Sequence, residues 1–330
     1  MNIYDVSEHA GVSIATVSRV LNGNPNVSEK TREKVLKVMD ELGYTPNVFA
    51  RGLGLNTMKT IGIMCSDSSL AGAIYYLERG LRAHGYDAIL CCTGYDLDAK
   101  QKYFDLLRSK RVDAIILAGS KFVEMRAKDN AYIIEAASDL PIMLVNGFLE
   151  GENIYSTVCD DHAAVYGAAS QLLSSGRRRI LYVYTSYSYS GVNKLEGYKD
   201  ALKAKGITPS DELIRQCPKD IEAARELLLS LHREGLEFDA VITSDDSLAV
   251  GAVKYAHIAD ISIPRDLSII GYNNSLLARC TDPEITSIDS KVEALCTTTI
   301  NTLMGVFSGV NVPSRTTIAS DLIKRKTTNF

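Results

Sequence analysis

The first sixty residues carry apolar positions at helical spacing and contain no strand-like apolar run. The spacing predicts three short helices over Ile3–Ala10, Ile14–Leu21 and Glu29–Leu42. Gly11 separates the first two helices, and Gly43 is placed to end the third. Short helices with a Gly-containing turn between the first two are typical of a helix-turn-helix, whose second helix enters the major groove of DNA.

From Ile61 the pattern changes to short apolar runs that alternate with amphipathic stretches. The runs predict buried parallel strands at 61–65, 88–91, 114–117, 142–145, 180–184, 240–243 and 267–272. Helices are predicted between them at 77–84, 99–110, 163–174, 194–205, 221–232 and 247–257. This order predicts α/β lobes with helices on both faces of each sheet. The strands divide near residues 150–160 into two lobes, and the tails near 285–330 are expected to cross back between them.

Overall charge argues against a nucleic-acid partner, because the 330 residues carry a formal net charge of −4. The predicted helical segment differs from that average, with seven Lys and Arg against six Asp and Glu in residues 1–60. No run approaches the length of a membrane span, and the acidic start does not resemble a signal peptide. The seven scattered cysteines indicate reduced thiols, so we expect a cytoplasmic protein without a membrane partner.

The second predicted helix has two distinct faces. Its core face is formed by Val17, Val20 and Leu21. Its other positions are Ile14, Ala15, Ser18 and Arg19. Apolar Ile14 or Ala15 suits a thymine methyl group, and Arg19 suits a guanine edge. Small polar side chains that suit phosphate oxygens are Thr16, Ser18, Asn22, Ser28 and Thr31. The spacing fits a plain three-helix core with a solvated face equally well.

A family resemblance separates these two interpretations. Residues 3–53 read IYDVSEHAGVSIATVSRVLNGNPNVSEKTREKVLKVMDELGYTPNVFARGL, and later segments read KLEGYKDAL, DDSLAVGAV, IPRDLSIIGYNN and ITSID. These segments resemble the lactose-repressor (LacI/GalR) family along essentially the whole chain. The resemblance implies an all-α helix-turn-helix headpiece, a hinge helix, and a periplasmic-binding-protein-like core of two doubly wound lobes. It also implies a transcriptional repressor that binds a pseudo-palindromic operator in double-stranded DNA as a homodimer, under the control of a small sugar-like effector.

The resemblance assigns boundaries and DNA-contacting positions. The headpiece would span 1–45, the hinge and linker 46–60, and the core 61–330. Within the core, one lobe would combine 61–158 with 290–320, and the other 159–289 with 321–330. Ile14, Ala15 and Arg19 match the positions that confer specificity. Supporting positions are Tyr4, Ser13, Thr16, Ser18, Asn22, Asn26, Ser28 and Thr31. Asn47, Ala50 and Leu53 match the minor-groove residues, with Leu53 as an apolar wedge or, alternatively, as linker filler.

A cleft between two such lobes is the usual place for a small ligand. Candidate residues near strand ends are Asp67, Ser69, Tyr75, Asn146, Ser188, Ser190, Lys194, Asp245 and Asn273. Each of them alone could equally be a loop cap or a solvated side chain. Compared with the family, Asn146 and Asn273 replace frequent aspartates, and Lys194 replaces an arginine. We therefore expect an effector with an anionic group and Lys194 as its counter-charge.

Two other function classes, an enzyme and a sugar-binding protein without a regulatory role, fit the sequence less well. An enzyme is disfavoured because GxGxxG, GxxxxGK[ST], HExxH and GxSxG motifs are absent from the sequence. The adjacent aspartates Asp160–Asp161 and Asp245–Asp246 resemble acid pairs, but such doublets more often cap helices. We expect no cofactor and no metal. A sugar-binding protein without a regulatory role would fit the core but not the headpiece.

Overall fold

The computed structural model describes residues 2–21, 23–44 and 57–330. The headpiece contains helices α1 (Ile3–Ala10), α2 (Ile14–Leu21) and α3 (Glu29–Glu41). Asn2 caps α1 by accepting a hydrogen bond from the Tyr4 amide at 2.8 Å. The core of the headpiece is formed by Val6, Ala10, Val17, Val20, Val35 and Met39. The predicted bounds of α1 and α2 agree with the structure, and α3 ends one residue earlier.

The first lobe is built on a six-stranded parallel sheet in the order β11-β5-β4-β3-β1-β2. Its strands are β1 (Thr60–Cys65), β2 (Asp87–Cys92), β3 (Ala114–Ala118), β4 (Ile142–Val145), β5 (Ile154–Cys159) and β11 (Arg315–Ile318). Its helices are α4 (Ala71–Ala83), α5 (Leu97–Ser109), α6 (Ala131–Ala137) and α12 (Val292–Phe307). Leu295 and Ile300 of α12 pack in the same core as Ile61 and Leu77, so the late helix belongs to this lobe.

The second lobe repeats the design, with strand order β12-β10-β9-β8-β6-β7. Its strands are β6 (Ile180–Tyr184), β7 (Ile214–Gln216), β8 (Ala240–Thr243), β9 (Ser268–Tyr272), β10 (Thr286–Asp289) and β12 (Asp321–Ile323). Its helices are α7 (Asp161–Ser174), α8 (Tyr189–Ala204), α9 (Ile221–Arg233), α10 (Asp246–Ile258) and α11 (Leu276–Arg279). Strand β12 alone runs antiparallel to its neighbour, β10. The predicted two-lobed α/β architecture is confirmed.

The chain passes between the two sheets three times, after β5, after β10 and after β11. The third passage lies beside the other two. Lys291 Nζ is 3.3 Å from Asp289 Oδ2 and 2.7 Å from Asp321 Oδ2. Cys159 Sγ lies 2.6 Å from Ser320 Oγ. These contacts join the three passages, and the carboxyl ends of most strands in both sheets face the cleft between the lobes.

Several elements were not predicted from the pattern. Five strands (β5, β7, β10, β11 and β12) and three helices (α6, α11 and α12) lack a predicted counterpart. Strand β5 carries the buried polar residues Ser156 and Thr157, which interrupt its apolar run. Helix α8 begins at Tyr189 because Ser188 caps it, five residues before the predicted start. None of the helices in the described ranges combines the length and apolar character needed to cross a membrane.

Candidate DNA interface and interlobe cleft

Helix α2 presents one face to solvent and buries the other. Val17 and Val20 are buried in the headpiece core, whereas Ile14, Ala15 and Arg19 are exposed. The exposed set combines two apolar side chains with one guanidinium group. This is the combination that reads a thymine methyl and a guanine edge in the major groove. The structure therefore places the three predicted specificity residues on one accessible surface.

Two matching hydroxyl pairs fix the starts of α2 and α3. Ser13 Oγ accepts from the Thr16 amide at 3.2 Å and lies 2.9 Å from Thr16 Oγ1. Ser28 Oγ accepts from the Thr31 amide at 3.3 Å and lies 2.8 Å from Thr31 Oγ1. Helix N-termini with such donors are favourable places for phosphate groups. The predicted supporting positions Tyr4 and Asn26 are also exposed, and Ser18 is half-buried.

Four predicted DNA-contacting residues lie outside the described residues. They are Asn22, Asn47, Ala50 and Leu53. Most of the predicted hinge and linker, 46–60, falls in the same undescribed part of the chain, and the described residues resume at Thr57. The minor-groove assignments and the wedge role of Leu53 therefore stay predictions from the family resemblance.

In the cleft, Asp245 connects several side chains of the second lobe. Its Oδ1 caps α10 by accepting from the Ser247 amide at 3.0 Å. Its Oδ2 accepts from Lys219 Nζ at 2.7 Å and from Asn273 Nδ2 at 3.0 Å. Two predicted candidates, Asp245 and Asn273, are thus in direct contact, together with a lysine that the sequence analysis did not select.

On the opposite lobe, Asp67 and Tyr95 form a second polar group. Asp67 caps the turn Ser68–Leu70 and accepts from the Ser69 amide at 2.7 Å. The Tyr95 hydroxyl donates to Asp67 Oδ2. Burial opposes ionisation of Asp67, but the hydrogen bonds from Ser69 and Tyr95 outweigh it and lower the pKa of its carboxyl. Burial and the hydrogen bond to Asp67 raise the pKa of Tyr95 to about 12, so this phenol stays protonated.

The two polar groups interact across the cleft. The positive charge of Lys219, from the second lobe, contributes to the lowered pKa of Asp67 in the first. Lys121, from the loop after β3, places its Nζ 4.1 Å from the centroid of the Tyr95 ring. Burial lowers the pKa of Lys121, and the Lys219 charge lowers it further while Asp67 opposes the change. The charge of Lys219 in the second lobe therefore influences both Asp67 and Lys121 in the first lobe.

Lys194 lies deeper and is already paired. Its Nζ is 3.8 Å from Asp161 Oδ1, 3.5 Å from the centroid of the Tyr272 ring and 3.4 Å from the Ser244 carbonyl. The Tyr272 hydroxyl donates to the same Asp161 oxygen. Asp161 is thus already paired with Lys194, and the assignment of Lys194 as the counter-charge of an anionic effector stays a prediction.

The remaining candidates differ in their surroundings. Ser188 caps α8 and lies 2.9 Å from Ser120 Oγ of the other lobe, and Ser190 is buried beside it in the chain. Asn146 has a φ of +60° and accepts from the Cys159 amide at 3.2 Å, joining the ends of β4 and β5. Tyr75 is exposed on α4, where its ring contacts Tyr76 and Arg79 of the same helix. The structure does not bring Tyr75 to the other candidates.

Five cleft residues were missed by the sequence analysis. They are Tyr95, Ser120, Lys121, Asp161 and Lys219. Ser120 and Lys121 follow the carboxyl end of β3, so the rule that selected Asp67 should have included them. Lys219 follows β7, a three-residue strand that was not predicted.

The adjacent aspartates act as helix caps at their first positions. Asp160 accepts from the Ala163 amide at 3.1 Å at the start of α7, as Asp245 does at the start of α10. Both doublets thus follow the capping interpretation. In the described ranges no group of three or more His, Cys, Asp or Glu side chains is arranged to hold a metal ion.

Known proteins resemble the chain along its whole length. A family model for bacterial regulatory proteins of the lacI family matches residues 2–47, and a periplasmic binding protein-like domain matches residues 169–328. An HTH-type transcriptional regulator from Lachnoclostridium phytofermentans is 62% identical, with 100% of both chains covered. The regulator DegA from Bacillus subtilis is 34% identical over 89% of this chain and 87% of its own.

A solved structure shows the same fold. The lac repressor dimer bound to operator and the anti-inducer ONPF superposes with a TM-score of 0.90 at 24% identity, over 99% of both chains. The sequence relatives are transcriptional regulators, in agreement with the expectation of a regulator rather than an enzyme. The helix-turn-helix, the two-lobed core and the relatives agree, and the chain is a transcriptional regulator that belongs to the LacI family.

Proposed function

We propose that this regulator is a repressor that binds a pseudo-palindromic operator as a homodimer in the cytoplasm. In this proposal residues 1–45 bind the major groove, residues 46–60 form the hinge, and residues 61–330 bind the effector and pair the chains. A small sugar-like molecule in the interlobe cleft controls the affinity for DNA. Rotation of one lobe against the other would change the spacing of the two headpieces.

One observation carries the proposal. Helix α2 buries Val17 and Val20 and exposes Ile14, Ala15 and Arg19 on one surface. A solvated helix face has no need of exposed apolar side chains beside an arginine, whereas a base-reading face uses both. The likeness of fold to an operator-bound lac repressor dimer supports the same function.

The cleft supports control by a small molecule. Polar side chains from both lobes converge there, with Asp67 and Tyr95 on one side and Asp245 and Lys219 on the other. The Ser120–Ser188 contact at 2.9 Å already connects the lobes. A ligand that contacts both sides would bind the two lobe arrangements with different affinity, which is what coupling to DNA requires.

Selection of bound sequences from a random duplex library tests the function. We expect the full chain to select a two-fold symmetric sequence, because two headpieces would read two half-sites. Arg19→Ala should weaken binding to that sequence by about 1–3 kcal/mol and relax preference at one base position. Gel shifts over a salt series measure both effects, since phosphate contacts produce a steep salt dependence.

Lys37→Ala is a matched control, because Lys37 is exposed on α3 and pairs with Glu41 at 3.7 Å. It should leave the base preference unchanged. An equal loss on selected and random DNA in Arg19→Ala would show that Arg19 contacts only phosphate. Selection of a single unrepeated half-site would contradict the homodimer.

A further inference from the structure

Two lysines approach the interlobe cleft from opposite lobes. Lys121 comes from the loop after β3 of the first lobe, and Lys219 from the loop between β7 and α9 of the second. Lys121 lies over the Tyr95 ring, and Lys219 is hydrogen-bonded to Asp245. The Ser120 Oγ–Ser188 Oγ contact at 2.9 Å brings the turn that carries Lys121 against the second lobe, just after Tyr184 in the chain. The Cys217 amide, two residues before Lys219, donates to the Tyr184 carbonyl, so both lysine-bearing segments lie at the same end of the cleft. In agreement with this placement, the Lys219 charge contributes to the lowered pKa of Lys121.

The two carboxylates of the cleft differ in how far donors of the protein itself occupy them. Asp245 accepts from Lys219, Asn273 and the Ser247 amide and hydroxyl. Asp67 accepts from the Ser69 amide and the Tyr95 hydroxyl. With four donors, Asp245 therefore has little accepting capacity left for the hydroxyls of a neutral sugar, whereas Asp67 keeps part of its capacity.

The ammonium groups of Lys121 and Lys219, in contrast, keep hydrogen-bond donors for a ligand. In the described part of the chain, no carboxylate lies within 4.0 Å of Lys121 Nζ, and Lys219 pairs with Asp245 alone. An ammonium has three donors, so Lys219 keeps donors for a ligand while it holds Asp245. Since its side chain is 35% exposed, solvent and ligand have access to it.

The segment that carries Lys121 is fixed by hydrogen bonds and by burial of the next residue. Lys100, 2% exposed, donates to the Lys121 carbonyl at 2.6 Å and to Glu124 Oε1 at 2.6 Å. Phe122, next in the chain, is completely buried. The backbone of Lys121 is thus fixed before a ligand arrives, which reduces the entropy lost on binding.

We propose that the effector carries an anionic group, a phosphate ester or a carboxylate on a small polyol, which binds between Lys121 and Lys219. This inference rests on the proposed function of the cleft as the effector site. The anion accepts hydrogen bonds from both lobes at once, so its binding stabilises the arrangement in which the lobes are close. Lys194, by contrast, is buried and paired with Asp161.

Calorimetric titration of the full chain at constant ionic strength tests the proposal. The probes are inorganic phosphate, D-glucose 6-phosphate, D-glucuronate and D-glucose, so that phosphate and carboxylate are compared on one sugar. We expect saturable binding of at least one anion and weaker binding of glucose. Lys121→Gln and Lys219→Gln should each weaken anion binding about tenfold or more, because each removes charge-assisted hydrogen bonds.

Three controls keep the result interpretable. Lys128→Gln and Lys205→Gln remove exposed lysines of the first and second lobes and should leave anion affinity unchanged. Lys121→Arg keeps the charge and should retain most of the binding. The two control variants should bind the selected operator like the unmodified chain in the absence of probe, and operator binding by the unmodified chain separates this inference from the proposed function.

Three outcomes would overturn the inference while operator binding stands. They are the absence of saturable binding for all three anions, tighter binding of glucose than of its charged derivatives, and anion binding that survives both glutamine substitutions. Failure to bind any operator would instead contradict the proposed function.

Discussion

Asp245 and Asp246 are neighbours in the chain but have different surroundings and different tasks. Asp245 faces the cleft, where it holds Lys219 and Asn273. Asp246 is 1% exposed and accepts from the Ser275 amide at 2.7 Å and from Ser287 Oγ at 2.6 Å. Burial raises the pKa of the Asp246 carboxyl despite these hydrogen bonds. A doublet of aspartates in the sequence cannot reveal this division, because it depends on which strands lie beside each side chain.

At the same scale, Tyr95→Phe tests the polar pair of the first lobe. The substitution removes the hydroxyl that donates to Asp67, so we expect the pKa of Asp67 to rise toward its ordinary value of 3.8. A folded-state pKa below that value stabilises the fold above it, and this contribution disappears as pH falls through the folded-state pKa. The variant should therefore be less stable than the unmodified chain at pH values above 3.8, and the difference should disappear as the pH falls through the folded-state pKa of Asp67. A carboxyl ¹³C NMR titration measures the pKa directly.

Tyr132→Phe is the matched control for this measurement. The Tyr132 hydroxyl is buried and has no hydrogen-bond partner in the described ranges, so its removal should leave the pKa of Asp67 unchanged. If Asp67 titrates identically in Tyr95→Phe and in the unmodified chain, the hydrogen bond does not hold its ionised form.

Some helix starts were well marked in the sequence, because capping side chains act locally, although α4 and α8 begin several residues before their predicted starts. Ser28 caps α3 and Asp220 caps α9, and both helices begin where the pattern predicts. Short strands at sheet edges were missed for the opposite reason. Strand β7 has three residues and β12 has three, and each is fixed by pairing with β6 or β10 rather than by its own sequence.

Packing between α7 and α8 gives a prediction at this scale. A Cβ added to Gly197 of α8 would lie 2.3 Å from the His162 carbonyl oxygen and 3.1 Å from its Cα, both backbone atoms of α7. Gly197→Ala must therefore separate the helices, and we expect the free energy of unfolding to fall by about 1–3 kcal/mol. The chain contains no Trp, so far-ultraviolet circular dichroism during urea titration is the appropriate measurement.

Gly167 of α7 provides the control, because a Cβ there meets nothing within 4 Å. Gly167→Ala should raise the free energy of unfolding by up to about 1 kcal/mol, since alanine favours the helix more than glycine does. If both substitutions change the free energy of unfolding equally, the close contact at Gly197 does not affect stability.

At the scale of the whole molecule, the existence of two lobes could be predicted from the sequence. Which side chains of the two lobes face each other across the cleft could not. Alternating strand and helix patterns indicate two sheets and place Asp67, Asp245 and Asn273 at strand ends. The convergence of Lys121 and Lys219 depends on how the lobes face each other, which no local pattern encodes. The pairing of Lys194 with Asp161 was missed for the same reason, because the two residues lie on different helices that meet only in the folded lobe.

The three passages between the lobes give the last prediction. Lys291 joins Asp289 of the second passage to Asp321 beyond the third, at 3.3 and 2.7 Å. Lys291→Met removes both ion pairs, and we expect the stability of the fold to change by less than about 1 kcal/mol because partly exposed pairs contribute little. If the ion pairs favour one arrangement of the lobes by the same small free energy, their loss shifts the equilibrium between the arrangements. Operator affinity should then change up to about fivefold.

Hydrogen exchange and gel shifts measure the two parts of this expectation. Amides of residues 289–291 and 318–321 should exchange faster in Lys291→Met, because the passages are no longer joined by charge. Lys254→Met is the control, since Lys254 pairs with Glu222 within the second lobe and its loss should leave exchange at the passages and operator affinity unchanged. If both variants behave alike, the ion pairs at the passages do not restrain the lobes, and the coupling must be sought in the contacts across the cleft.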